Sequence, residues 1–142
     1  MSSALLPDDV FRRLCRARSF LHEHHAEPLT IARLAREAGI SRFHFLRLYR
    51  RAFGVTPRAH LTEVRIQRAK ALLAAETASV TDICFDVGFS SLGSFSTMFA
   101  ERVGCPPSAW RRRFWQVSAA WERPTALVIP SCFWRHYGDA AS

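Results

Sequence analysis

Apolar residues recur at helical spacing along most of the chain, from Asp8 to Phe114. Val10, Leu14, Ala17 and Leu21 form a first stripe, which predicts an amphipathic helix ending near His25, ahead of Glu27-Pro28. Thr30 is placed to cap a short helix carrying Ile31, Leu34, Ala35 and Ala38, with Gly39 as its stop. Ser41 caps the next helix, in which Phe45, Leu48, Tyr49 and Phe53 are expected to face inward and Gly54 ends the run. Thr56-Pro57 joins an N-cap to a proline at the first helical position. A long helix should follow to about Glu76, with Leu61, Val64, Ile66, Ala69, Leu72 and Leu73 available for burial.

The pattern then returns. Leu34, Ala35, Ala38, Gly39, Ile40 and Ser41 match Ile83, Cys84, Val87, Gly88, Phe89 and Ser90, each 49 residues later. Phe45, Leu48, Tyr49, Phe53, Gly54 and Pro57 match Phe95, Met98, Phe99, Val103, Gly104 and Pro107, each 50 later. The change of offset predicts one inserted residue at the start of the second copy's last helix. Matches confined to core and breaker positions indicate two copies of one supersecondary unit. A short helix, a glycine turn and a second capped helix make a helix-turn-helix, which projects its second helix into the major groove of DNA. The pattern by itself also admits an ordinary antiparallel helix pair in a bundle, but a glycine at the same place in both copies favours the tight turn. The expected fold is all-α.

Charge sharpens this picture. The chain has 142 residues and a formal net charge of +8, from 20 Lys+Arg against 12 Asp+Glu, and Lys70 is its only lysine. Arginine's planar fork matches phosphate and guanine edges, so the bias favours a nucleic-acid partner over mere solubility. The start, MSSALLPDDV, has neither the basic region nor the apolar run of a signal peptide, and no charge-free stretch reaches the length a bilayer requires. Cys15, Cys84, Cys105 and Cys132 are widely separated, with no C-x-x-C pair, which suits buried thiols in a reduced cytoplasm.

Two segments resemble the DNA-binding region of the AraC/XylS family. The second unit, TDICFDVGFSSLGSFSTMFAERVGCPPSAWRRRF, is similar to the family pattern I-A-x-x-x-G-F-x-S…F-x-x-x-F-[KR]-x-x-x-G-x-[TS]-P-x-x-[YW]-R. The first, LTIARLAREAGISRFHFLRLYRRAFGVTP, is similar to L-x-x-L-A…S-x-x-x-L-x-R-x-F-[KR]-x-x-x-G-x-[TS]-P. The resemblance runs from about Asp8 to Phe114. It implies about seven helices in two helix-turn-helix lobes joined by a long linking helix: residues 1–55, the linker 56–77, residues 78–114, and a C-terminal tail 115–142. It also implies a bacterial transcription regulator that acts on double-stranded DNA, with activation through RNA polymerase and repression by occlusion both compatible with these residues. Because the first helix begins almost at Met1, the chain looks like the single-domain MarA/SoxS-like subclass, binding an asymmetric site as a monomer.

In the first unit, Arg42, Phe43, Leu46, Arg47 and Arg50 make the outer face of the recognition helix, with no acid between Ser41 and Gly54. Arg47 can pair with guanine O6 and N7, and Phe43 and Leu46 with thymine methyls. These three stand, by resemblance, where the family touches bases. Ser41, Arg42, Arg50 and Arg51 suit phosphates. In the second unit, Leu92, Gly93, Ser94 and Thr97 are the candidate base contacts, and Ser90, Ser91, Ser96 and Arg111 the candidate phosphate contacts. Many relatives carry a long polar residue where Thr97 stands, so weaker, shape-based readout is expected here. Arg65 and Arg68 on the linking helix, and Arg112 and Arg113 beyond Arg111, are further phosphate candidates.

Other chemistries are set aside. His22, His24 and His25 lack a second ligand cluster, so no metal is expected, and no Gly-rich phosphate loop, nucleophile elbow or paired-carboxylate motif points to a cofactor or to catalysis. The tail holds Trp115, Trp121, Phe133, Trp134 and Tyr137, and is expected to pack on the second lobe. The competing reading is a protein-interaction module that docks through Phe43, Leu46 and this aromatic tail.

Overall fold

The computed structural model describes residues 6–75 and 78–121. They form seven helices: α1 (Asp8–Glu23), α2 (Ile31–Ala38), α3 (Arg42–Phe53), α4 (Pro57–Ala74), α5 (Val80–Asp86), α6 (Leu92–Val103) and α7 (Pro107–Trp121). No strand occurs among the described residues. The chain divides into two compact units, Met1–Arg68 and Ala69–Ser142, and the division falls inside α4.

The first unit closes over one apolar face from each helix. Leu14, Ala17 and Leu21 of α1 pack with Leu34, Ala35 and Ala38 of α2, with Phe45, Leu48 and Tyr49 of α3, and with Leu61 of α4. Each large apolar side chain removed from water contributes about 1.5–3 kcal/mol. Buried residues of the second unit include Ile83, Cys84 and Val87 of α5, Phe95, Phe99 and Val103 of α6, and Trp110 of α7. There the rings form a chain, Phe89 to Phe95 at 5.2 Å, Phe95 to Phe99 at 5.8 Å and Phe99 to Trp110 at 6.4 Å. Burial pushes the Cys84 thiol up, so it stays an inert, protonated core group.

The internal repeat extends to individual backbone hydrogen bonds. In the first unit Gly39 N–H donates to Arg36 O and Ile40 N–H to Ala35 O; in the second Gly88 N–H donates to Phe85 O and Phe89 N–H to Cys84 O. This is the Schellman pattern, and it needs a residue with positive φ, supplied by Gly39 at 64° and Gly88 at 102°. The N-caps repeat too: Thr30 Oγ1 accepts from Arg33 N–H, and Ser79 Oγ accepts from Asp82 N–H. The repeat also reaches back into the preceding helix. Ile66, Ala69 and Leu73 of α4 reproduce the spacing of Leu14, Ala17 and Leu21 of α1, and all six are essentially inaccessible.

Several expectations need correction. The inserted residue lies in the turn, not in the helix: Phe45 N–H donates to Ser41 O and Phe95 N–H to Ser91 O, so Ser91 is the counterpart of Ser41 and Ser90 is the extra residue. Ser41 holds the N-cap position of α3 without a side-chain cap bond, whereas the Ser91 hydroxyl accepts from Ser94 N–H. Met98 is exposed rather than inward, because Phe95, Phe99 and Val103 complete the buried stripe of α6 and leave Met98 at its edge. Phe53 is half-buried. Helix α7 continues to Trp121, beyond the expected end of the lobe at Phe114. The rest of the expected tail, with Cys132, Phe133, Trp134 and Tyr137, lies outside the described residues.

Helix α3 is fixed to α4 by a polar pair at the edge of the first core. The Tyr49 hydroxyl and His60 Nδ1 are 2.6 Å apart. Burial pushes the Tyr49 hydroxyl up to about 12, so it remains a donor. Burial lowers His60, with His22 and Arg18 adding repulsion, so its imidazole favours the neutral, accepting form. His22 stands edge-on to His60 at 5.1 Å and is lowered as well, first by burial and then by Arg18 and His25. In the second unit Phe99 and Trp110 take the places of Tyr49 and His60, and an edge-to-face ring contact replaces the hydrogen bond.

Two outcomes follow from these contacts. A Cβ at Gly39 would meet only the Arg13 guanidinium, at 3.6 Å, so Gly39→Ala carries the backbone strain alone. It should cost about 1–2 kcal/mol in a urea titration. Both lowered histidines bind protons more readily in the unfolded chain, so their contribution is complete above the unfolded value of 6.5 and is lost as pH falls through the lower folded values. Denaturation midpoints should therefore drop below pH 6.5, and His60→Gln, which retains an acceptor for Tyr49, should flatten that dependence.

Candidate nucleic-acid interface

Because Phe45, Leu48 and Tyr49 turn one side of α3 into the core, the opposite side carries residues 43, 47 and 50, with Leu46 at its margin and Arg42 at the first turn. Ser41, Arg42, Phe43, Arg47, Arg50 and Arg51 are exposed, and Leu46 is half-buried rather than fully outward. Phe43 is 77% exposed, with the Arg42 guanidinium 5.9 Å from its ring. A large aromatic left this far in water gives nothing to the fold. It stands on a helix with four arginines and no acid. The far end of α3 is anchored through Phe53, which meets Tyr49 at 4.7 Å and Phe11 at 6.1 Å, with Arg18 above its ring at 4.7 Å.

Helix α6 presents the corresponding side with different chemistry. Ser90, Ser91, Leu92, Gly93, Ser94 and Thr97 are exposed, and Ser96 is half-buried. A Cβ at Gly93 would meet nothing within 4 Å, so nothing inside the protein requires a glycine there. The Ser91 hydroxyl already serves as the helix cap. Gly93, Ser94 and Thr97 thus share the side of α6 away from the core, while exposed Leu92 and half-buried Ser96 lie nearer the buried stripe and Arg111 stands on α7.

Two of the predicted phosphate-binding arginines face inward tasks. Arg65 Nε donates to His25 O at 2.7 Å and its Nη2 to Glu27 O at 2.9 Å, and burial lowers the guanidinium below its ordinary value. Arg65 therefore braces the α1–α2 loop, whose carbonyls have left the helix ladder, in place of the expected phosphate contact. In the same loop the Glu27 carboxylate takes His24 Nδ1 at 2.8 Å and Arg33 Nη1 at 2.9 Å, and these hydrogen bonds hold its acid below the usual carboxylate range. Arg111 plays a similar part in the second unit. Its Nη2 donates to Ala78 O ahead of α5, while its Nε is buried without a hydrogen-bond partner. Nothing in the local sequence signals these braces, since the acceptors are main-chain carbonyls more than thirty residues away.

Among the described residues no helix is long and apolar enough to cross a membrane. Residues 34–113 match a helix-turn-helix domain family. The chain is 34% identical over 96 residues to the virulence regulon transcriptional activator VirF of Yersinia enterocolitica, covering 68% of this chain and 35% of that protein. It thus spans about a third of the length of that relative. The DNA-binding domain of AdpA, solved in complex with a target DNA, superposes with a TM-score of 0.68 at 27% identity, covering 80% of this chain and 97% of that one. An AraC-type regulator from Chromobacterium violaceum superposes with a TM-score of 0.68 at 30% identity, covering 74% and 94%. With the duplicated turn, the capped helices and the arginine-faced α3, these likenesses show that the chain belongs to the AraC/XylS-type helix-turn-helix family of transcription regulators.

Proposed function

We propose that this chain binds duplex DNA sequence-specifically and regulates transcription, inserting α3 and α6 into two adjacent segments of the major groove. The observation that carries the reading is the outer face of α3, where Phe43, Leu46 and Arg47 stand with exposed Arg42 and Arg50 on a helix that has no acid. Arg47 pairs with guanine O6 and N7, and Phe43 and Leu46 contact thymine methyls. Ser41, Arg42, Arg50 and Arg51 hold phosphates and fix the register. On α6, Leu92, Gly93, Ser94 and Thr97 meet base edges or the groove floor, and Ser90, Ser91 and Ser96 meet phosphates. Arg111 is a secondary anchor, because part of its guanidinium serves Ala78.

Two groove segments on one side of a duplex lie about 34 Å apart, so one chain reads what pairs of single units read elsewhere, and it binds an asymmetric site as a monomer. The site of action is the bacterial cytoplasm, on the nucleoid. VirF is named a transcriptional activator, which supports activation; RNA polymerase is the protein partner that activation calls for in this reading. The lobes correspond to residues 1–55 and 78–114 around the linker 56–77, with the last helix of the second lobe running on to Trp121. No catalytic residue, cofactor or metal enters this reading.

The 77% exposure of Phe43 also fits a protein-docking surface formed with Leu46. A gel shift on random duplex at low and high salt separates the two readings: DNA binding that weakens steeply with salt supports the first, and none at any salt supports the second. On a duplex selected from a randomised pool, Arg47→Ala should cost about 1–3 kcal/mol and relax the preference at one base pair. Equal loss on every sequence would instead make Arg47 a phosphate contact.

A further inference from the structure

The repeated hydrogen bonds allow the two recognition helices to be compared position by position. With Ser41 and Ser91 as matching N-caps and Gly54 and Gly104 as matching stops, every residue of α3 has its counterpart 50 positions on in α6. Arg42 is answered by Leu92, Phe43 by Gly93, Arg47 by Thr97, Arg50 by Ala100 and Arg51 by Glu101. Every cation of α3 is thus replaced, one of them by an exposed acid, and the only cation of α6 is Arg102 near its last turn. Where the family pattern asks for Lys or Arg after the second aromatic, the first copy has Arg50 and the second has Ala100. Helix α3 carries a cationic face with no acid, and α6 carries no net charge.

On this basis, and resting on the DNA-binding reading above, we infer that, of the two recognition helices, α3 supplies the phosphate-charge part of binding and α6 is a charge-silent reader. Counterion release scales with the number of phosphates neutralised by cations, so a helix without cations on its outer face contributes almost nothing to the salt dependence. Its neutral side chains act by hydrogen bonding and shape, which salt screens little. Glu101 works against phosphate where Arg51 works for it. The two helices therefore differ in kind: α3 adds to its base contacts a charge grip that any sequence offers, and α6 adds neutral contacts that depend on the fit of its groove. Because phosphate charge is alike in both directions of a duplex, orientation on an asymmetric site rests on the base contacts of α3 and the fit of α6.

The test uses the full chain on a duplex selected from a randomised pool, with affinity followed by fluorescence anisotropy across a salt series. Arg42→Gln with Arg50→Gln should reduce the slope of log affinity against log salt by about two, and weaken binding on every sequence alike. Ala100→Arg should add about one to the slope and strengthen binding to unrelated duplexes. Circular dichroism of each variant keeps loss of fold separate from loss of contact. A slope unchanged by the double substitution, or by Ala100→Arg, would overturn the inference while leaving DNA binding intact. A folded wild-type chain that binds no duplex at all would instead sink the reading beneath it.

Discussion

The turn between the two helices of each unit is closed by a pair of backbone hydrogen bonds around a glycine, Gly39 in the first copy and Gly88 in the second, and everything outward of the core depends on it. Those bonds satisfy carbonyls that the ending helix leaves unpaired, and they send the chain off in a direction open only to a residue with positive φ. The next helix then starts from a fixed point at a fixed angle. In the first unit this allows Phe45, Leu48 and Tyr49 to reach the core, so the arginine side of α3 has nowhere to go but outward. A relaxed turn would let α3 roll, and the division between packed and presented faces would blur.

Arginine takes two roles in this chain. Arg65 and Arg111 close irregular loops by donating to main-chain carbonyls, Arg33 pairs with Glu27, and Arg18 lies over Phe53. The fork that suits a phosphate also suits a loop carbonyl or a ring face, so a tally of cations overstates the surface available to DNA. After those are set aside, the acid-free cluster on α3 stands out more clearly. The net charge of +8 is a property of the whole chain; the side-chain environments show where it can act.

Much of the fold was legible in the sequence because helical spacing and terminating glycines are local signals. Leu14, Ala17, Leu21, Leu34, Ala35, Ala38, Phe45 and Tyr49 are buried as the periodicity indicates. The insertion was misplaced because Ser90 and Ser91 are chemically alike, and only the bond from Phe95 N–H shows which one caps α6. Met98 looks like a core residue by type, yet it sits at the margin of a stripe already filled by Phe95, Phe99 and Val103. The braces made by Arg65 and Arg111 depend on carbonyls brought close only by folding. At the candidate site, the outer faces of α3 and α6 follow directly from which residues are buried. The half-burial of Leu46 does not, since it depends on neighbours outside its own helix.

If the chain grips DNA as proposed, the outer faces of α3 and α6 meet the duplex and the core-facing surfaces do not. Backbone amide shifts measured by NMR, as a selected duplex is titrated into the labelled chain, test this residue by residue. The largest changes should fall over residues 41–51 and 90–100, with Phe85 and Trp115, both exposed but on α5 and α7, little affected. Shifts centred on Phe85, Trp115 or the α1–α2 loop, with residues 41–51 silent, would contradict the proposed grip.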